Sequence, residues 1–456
     1  MAEQAVGQTV LFPALFTKPL VATFDTPQQS SDGGAILLKA IDDQLGLTAR
    51  LAACLPERRQ AGKIAHDLPT LLRQRCFALA CGYADANDAA ALKADPIHKL
   101  LVGRDPVAGD ALASQPTLSR FENAVGPRDL FWLTHALADG VIAQHPARLG
   151  AEPVRRIPLD FDPTDDPTHG QQALAFFTGP YGTYCYLPMV GTLTFNSERT
   201  PYLVTAILRP GNAPATLGVL GVLRRLFHKL RAAFPRARLR VRLDGGFASP
   251  AVFACLEAEG VEYLVAMASN ARLERRIRRL LGKARMRSKA TGETAPLFGE
   301  TRYAAKSWKR KRRVILKAEV VRLGGRDPRD TPRFVVTNLS PSPRRVYALY
   351  RERGDVENRR KELHSGLGFD RTSCTAFWAN AFRVLLTAAA YVLLQTLRQH
   401  RASPVLPQGS TLRERLIKLG TRVSVSARRI VLHLPSAFPW LALWQAVALA
   451  LGARTG

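Results

Sequence analysis

An α/β fold with a mixed sheet is what this sequence predicts, and three observations predict it. Between residues 154 and 269, short runs of alternating apolar and polar residues are interleaved with Leu-rich segments of helical length. The first 150 residues lack that alternation and read as helical. After residue 270 strand-like runs return inside a basic stretch, and helix-like segments follow to the C-terminus. A hydrophobic content of 46% with 22% charged residues excludes a disordered or low-complexity chain. The length of 456 residues suggests about three domains.

In the N-terminal region, LPTLLRQRCFALACGY (68–83) is apolar on all sides, as a buried helix would be. SQPTLSRFENAV (114–125) sets polar caps before a short periodic run. It fits the second helix of a helix-turn-helix, with Arg120 and Asn123 facing outward. RIPLDFD then alternates and is bounded by Pro163, so it reads as a strand. CYLPMVGTLTF (185–195) and PYLVTAIL (201–208) are two more, joined by NSERT. A helix is expected over 214–232, a strand over 238–244, a helix over 249–259 and a strand over 263–267. The order βββαβαβ implies a mixed sheet with helices on its faces. RYAAKSWKRKRRVILKAEVVRL and RFVVTNL read as strands of a separate β-rich insertion. The expected regions are therefore 1–150, 151–269, 270–342, 343–400 and 401–456, the last one helical.

The charge is unusual. Lys and Arg number 65 against 37 Asp and Glu, a net of +28, which is the electrostatic footprint of a nucleic-acid partner. Residues 270–320 hold 17 Lys or Arg and four Glu, so +13 of the total sits there. Trp308 lies within the densest basic run. Interleaved aromatic and basic residues suit stacking on bases exposed from a distorted duplex; a Trp packed beneath its own insertion is the alternative. The six cysteines form no CxxC pair, which argues against a disulfide framework or structural zinc. The N-terminus lacks a basic segment followed by a sustained apolar core, so no signal peptide is expected. Apolar runs at 384–394 and 437–451 fall short of the roughly 20 residues that span a bilayer. Both read as buried helices of a soluble, cytoplasmic protein without a membrane.

Candidate chemistry rests on carboxylates. Asp160 and Asp162 share one face of the first strand, because side chains alternate with period two. Asp244 ends the fourth strand, and Gly245 and Gly246 after it permit close approach of a backbone or ligand. Carboxylates at the carboxyl ends of neighbouring strands suit a divalent cation. YALYRERGDVENRRKELHSGLGF sets Tyr350, Arg353, Glu357, Lys361 and His364 at offsets −7, −4, 0, +4 and +7, one face of a helix. That face reads as a metal-binding carboxylate beside phosphate clamps.

These residues together resemble a bacterial insertion-sequence transposase of the DDE type, in the branch whose RNase H-like domain carries a β-strand insertion. The matching features are D-x-T at Asp162 and Thr164, Asp244 in RLDGGF, and Y-x2-R-x3-E at Tyr350, Arg353 and Glu357. The likeness is strong over 155–395, weaker over 80–125 and silent beyond about 400. It departs at His364, where the family has Lys, and at Pro163, where small residues are usual. Pro163 keeps Asp160 open as the first ligand, although Asp162 aligns with the Thr. The resemblance implies that Asp162, Asp244 and Glu357 are catalytic and hold two Mg²⁺ ions, with Mn²⁺ as the alternative. It implies that Tyr350, Arg353, Lys361 and His364 grip phosphates. Trp308, Arg310, Arg312 and Arg313 are then expected on DNA, with Trp308 against a flipped base. The implied activity is cut-and-paste transposition on double-stranded DNA, at inverted-repeat ends and target, by a homodimer assembled on DNA. Another RNase H-like nuclease or resolvase, or a non-catalytic DNA-binding descendant, are the alternatives.

Overall fold

The computed structural model describes residues 9–11, 17–18, 20–23, 25–149, 153–198, 200–323, 326–400 and 408–454. Most of the N-terminal stretch read for a targeting signal lies outside them.

Among the helices of the N-terminal region are α1 (Leu68–Cys81), α2 (Gln115–Asn123) and α3 (Pro127–Leu149). Asp67 caps α1 by accepting from the Thr70 N–H, and Pro69 sits in the first turn, where its missing donor costs nothing. Arg75 on α1 is buried, as the all-round apolarity of its helix requires, and it pairs with the buried Glu122 of α2 at 2.8 Å.

The sheet begins with β1 (Arg156–Pro163), whose Ile157, Leu159 and Phe161 are buried on one face. β2 (Asp166–Pro167), β3 (Phe176–Thr178) and β4 (Thr183–Tyr186) form a small separate sheet. The single strand expected over 185–195 is therefore divided. Pro188 cannot donate to a ladder, so β4 ends before it and β5 (Met189–Leu193) starts after it. β6 (Tyr202–Ile207), β7 (Arg238–Leu243) and β8 (Glu262–Met267) complete the five central strands. On one side of β1, β5 pairs with it antiparallel and β6 pairs antiparallel with β5, so β6 points the same way as β1; on the other side β7 and β8 run parallel to it. Helices α4 (Val219–Ala233) and α5 (Pro250–Ala258) make the two crossovers.

Residues 270–342 do not form a separate body. They open with the 21-residue helix α6 (Ala271–Thr291), which the charge count alone did not disclose. β9 (Ala295–Tyr303), β10 (Arg312–Val321) and β11 (Arg333–Thr337) then extend the same sheet, in the order β9-β10-β11-β8-β7-β1-β5-β6. The physical reason is the edge of β8: β11 pairs it antiparallel and satisfies its backbone groups.

Downstream lie α7 (Pro343–Arg351), α8 (Asp355–Lys361) and α9 (Phe377–Gln399). α9 runs well past the apolar 384–394. By length and composition it could cross a membrane, yet 94% of its most apolar window is buried within the protein. Both arginines that bounded the apolar run lie inside it and are paired, Arg383 with Glu122 and Arg398 with Glu362. The C-terminal region is not wholly helical. Thr421–Val425 and Ile430–His433 pair as strands and add Gln29–Ser30, followed by a helix over Leu441–Ala450. Buried Asp32 fastens this region to the N-terminal helices through His98 at 2.9 Å and Lys418 at 2.7 Å.

Candidate active site

The register of β1 and β7 brings the first two carboxylates together. Their parallel pairing ends with Arg242 opposite Asp160 and Leu243 opposite Phe161. One step further sets Asp244 level with Asp162, on strands about 4.8 Å apart. The polar face of these strands is not solvent-facing, as simple alternation would suggest. Asp160, Asp162, Arg240 and Arg242 are all buried on it. Asp160 is occupied there: Arg242 grips both its oxygens at 2.7 and 2.6 Å, and reaches the Leu349 carbonyl and Glu352 as well. Asp162 instead faces Arg353, whose guanidinium is 2.5 Å from it and 4.0 Å from Asp244.

Asp244 accepts from the Gly246 N–H at 2.9 Å and so caps the short turn over Gly245–Phe247. A Cβ on Gly246 would stand 2.9 Å from the Ala215 side chain, so the close approach there belongs to the protein's own chain. Burial pushes the Asp162 carboxyl up to about 6; Arg353 opposes this, and Asp244 and Glu357 reinforce it. Glu357 is thus within electrostatic reach of Asp162, although it is itself exposed.

The segment bearing Glu357 is not one straight helix. α7 ends at Arg351, a tight turn covers Glu352–Gly354, α8 follows, and a wide π turn runs over Glu362–Gly366. Inserted turns of this kind recur at functional sites. They disperse the five-residue stripe. Tyr350 and Arg353 stay beside Asp162 and Asp244, and burial raises the Tyr350 hydroxyl. Lys361 is exposed and makes no ion pair with Glu357 among the described residues. His364 lies against β1, with Nε2 3.1 Å from the Thr164 hydroxyl and Nδ1 4.0 Å from Asp370. His364 is therefore engaged next to the end of the strand bearing Asp162, with 20% of its side chain exposed.

The basic run divides. Trp308 is buried, packed against Phe253 with ring centroids 4.9 Å apart and against Tyr303 at 5.7 Å, with Arg312 over its face at 5.1 Å. Little of its ring surface is left open, and that part lines the groove beside Gly245. Arg312 is also buried, bound to both oxygens of Glu257 at 2.8 and 2.9 Å. Arg313 pairs with Glu300 and bonds the Leu339 carbonyl. Arg310 pairs with Glu257 at 2.5 Å yet keeps 61% of its side chain exposed. The open charge lies on α6. Leu273, Ile277 and Ala284 bury its inner face, while Arg272, Arg275, Arg276, Arg278, Arg279, Lys283, Arg285, Arg287 and Lys289 are exposed. Of these nine, only Arg285 forms an ion pair among the described residues, with Asp330. A groove of about 530 Å³, lined by Gly245, Asn270, Arg272 and Lys306 among others, joins the turn after Asp244 to the start of α6.

Two residues near the site escaped the sequence reading. Arg209, just past β6, is buried with one terminal nitrogen unpartnered. Its pKa is lowered to about 10 by burial, with Asp244 acting against that. An Arg in LRPG beside a strand carried no signal by itself. Asp166 is the other. Thr372 donates to both of its oxygens at 3.0 Å, and burial raises it to about 8. Folded Asp166 thus stays protonated at a pH where the unfolded carboxyl, near 3.9, has ionised. Stability accordingly falls as pH rises from about 4 to about 8, by at most about 1.4 kcal/mol per unit. Asp166→Asn should flatten that decline: thermal melts at about pH 5 and pH 8.5 should differ less for the variant than for the parent protein.

Asp162, Asp244 and Glu357 would together supply only oxygen donors, 31% open to solvent at Asp244 and exposed at Glu357, a chemistry that suits Mg²⁺ with its retained waters. A guanidinium already stands between two of them, so the site accommodates positive charge. Asp32, Cys81 and His98 form the only tight cluster of metal-capable groups among the described residues. There both carboxylate oxygens are already taken, by His98 and Lys418, which makes it an ion-paired clamp. The sequence family described as transposase DDE domain group 1 matches residues 12–454. No curated protein matches the chain.

Proposed function

The chain belongs to the DDE transposase family, and from that premise we propose that it cuts the ends of an insertion sequence and joins them to new DNA through Asp162, Asp244 and Glu357. The observation that carries this is the register: it sets Asp244 beside Asp162, with Arg353 and Glu357 arriving from one segment. The central strand order, third-second-first-fourth-fifth with only the second antiparallel to the first, supports an RNase H-like core.

Phosphodiester cleavage and transfer need a water or a 3′-hydroxyl to attack phosphorus in line. Two divalent ions, Mg²⁺ by the donor set, supply stabilisation of the attacking and leaving oxygens when bound. Asp162, Asp244 and Glu357 are the residues that would hold them. The two-point bond of Asp160 to Arg242 favours Asp162 over Asp160 for that role. Arg353 keeps Asp162 ionised in a buried setting, and with Tyr350 it offers donors to the phosphate at the cut. His364 orients the β1 end through Thr164. Lys361 and Arg310 are exposed and reach the DNA backbone. The groove from Asp244 to α6 gives the flanking duplex a cationic track, and the exposed Arg120 and Asn123 of α2 contact DNA further out. A homodimer on paired ends completes the reading.

The test is incubation of the purified protein with Mg²⁺ and duplexes carrying the inverted repeats that flank its reading frame. Cleavage at the repeat ends with footprint protection there is expected. Cleavage confined to branched or flapped DNA of any sequence would instead favour a structure-specific nuclease. A third expectation concerns α6. Changing Arg272, Arg278 and Arg279 to Gln should lower the slope of log K against log[salt] by about 0.9 per residue, roughly 2.7 in all. An unchanged slope would remove α6 from the DNA track.

A further inference from the structure

The burial of Trp308 leaves unpaired bases without a stacking partner on the basic run, and a different element has the required surface. Between β1 and β5 the chain makes the hairpin of β3 and β4. Phe177 and Tyr184 are directly opposite each other in it, so both rings stand on one face. They are 59% and 60% exposed and touch edge to face at 5.7 Å. Tyr181 at the turn and Phe176 are exposed too. Residues 170–197 contain no Asp, Glu, Lys or Arg, in a chain carrying +28.

These rings are held firmly. β4 pairs with β2, which begins four residues after Asp162. The Thr178 hydroxyl donates to the Gly211 carbonyl at 2.8 Å, and the Gly211 N–H donates to the Leu174 carbonyl at 3.1 Å. A Cβ on Gly211 would come within 2.0 Å of the Cys185 carbonyl oxygen, so only Gly lets the hairpin seat there. Tyr186 at its base is buried and donates to the Ala173 carbonyl at 2.8 Å. The exposed aromatic pair is thus a fixed feature at the carboxyl end of β1, and Tyr181 is within electrostatic reach of Asp165, Arg360 and Asp162.

We infer that the β3–β4 hairpin is a stacking platform for unpaired DNA bases beside the scissile phosphate, with Phe177 and Tyr184 as the contact rings. The inference rests on the DNA-cleaving reading of the adjacent carboxylates. Two observations select this occupant. The rings are uncharged and offer π-faces, which suit bases of any sequence, and the cation of Arg360, within electrostatic reach of Tyr181, is available for the connecting phosphates. Paired duplex cannot use the platform, because its bases already stack on one another.

The experiment uses the full chain without metal, so no cleavage intervenes and a failed catalytic reading would leave the result interpretable. Two probes are compared: a duplex ending in a short unpaired tail containing 2-aminopurine, and the same duplex fully paired. The protein should bind the tailed probe about ten-fold more tightly, the worth of roughly one stacked base, and change its 2-aminopurine emission. The Phe177→Ala, Tyr184→Ala double variant should lose both effects while binding the paired probe as before. Tyr184→Phe should retain them, since the ring persists. Equal affinity for the two probes, or a double variant that keeps the preference, overturns the proposal. So does a double variant that differs only in self-association, which would make the face a contact between copies of this chain.

Discussion

Changing Glu357 to Gln, or Asp244 to Ala, will abolish Mg²⁺-dependent end cleavage while leaving DNA affinity nearly intact. Partners behind a metal ligand are worth 10–100-fold, so loss of a ligand itself should cost on the order of a thousand-fold or more. Gel-resolved cleavage and metal-free binding on the same preparations separate the two quantities. Asp160→Asn supplies the contrast. Asp160 shares the strand face with Asp162 but is bound to Arg242 at both oxygens, so its replacement should lower stability before it affects chemistry. Wild-type cleavage rates in both Glu357→Gln and Asp244→Ala would remove these carboxylates from the mechanism.

Glu362→Ala should cause the largest loss of stability. Glu362 is buried and accepts from the Tyr391 hydroxyl at 2.7 Å and from Arg359 and Arg398 at 2.9 Å each. Arg398 is 1% exposed, and two of its nitrogens have no hydrogen-bond partner among the described residues even with Glu362 present. Removing the carboxylate strands that guanidinium in the core, which typically costs 3–5 kcal/mol. Denaturant melts of the two proteins measure it. A midpoint shift worth less than about 1 kcal/mol would mean that Arg398 relaxes to solvent, contrary to its burial. Glu362 lies five residues beyond Glu357, so cleavage should weaken together with stability.

Much of the candidate centre was legible in the sequence because its signals are local. Asp162 and Thr164, Asp244 before two glycines, and Tyr350, Arg353 and Glu357 are each a short motif within a few residues of chain. The strands of the central sheet also declared themselves, since β-branched and aromatic residues bounded by Pro and Gly have few other uses. What stayed hidden depends on long-range packing. The basic strands at 312–321 and 333–337 read the same whether they stand apart or extend the main sheet; only the open edge of β8 decides it. Trp308 and Arg312 look like a DNA contact in a charge count, but Phe253 and Glu257, about 55 residues earlier, claim them. The helical offsets from Tyr350 to His364 assume one continuous helix. The tight and wide turns around α8 break that assumption, and His364 consequently meets Thr164, 200 residues away. Arg209 and Asp166 had no motif to announce them.

α9 carries two of these long-range bonds. Arg383, near one end, holds Glu122 and through it Arg75 in the N-terminal helices; Arg398, near the other, holds Glu362 behind the Glu357 segment. A single buried beam thus ties the N-terminal helices to the segment bearing Glu357 through ion pairs at both of its ends. If the proposed function holds, a pull on DNA held by the outer helices would be passed along this beam to the site of cutting.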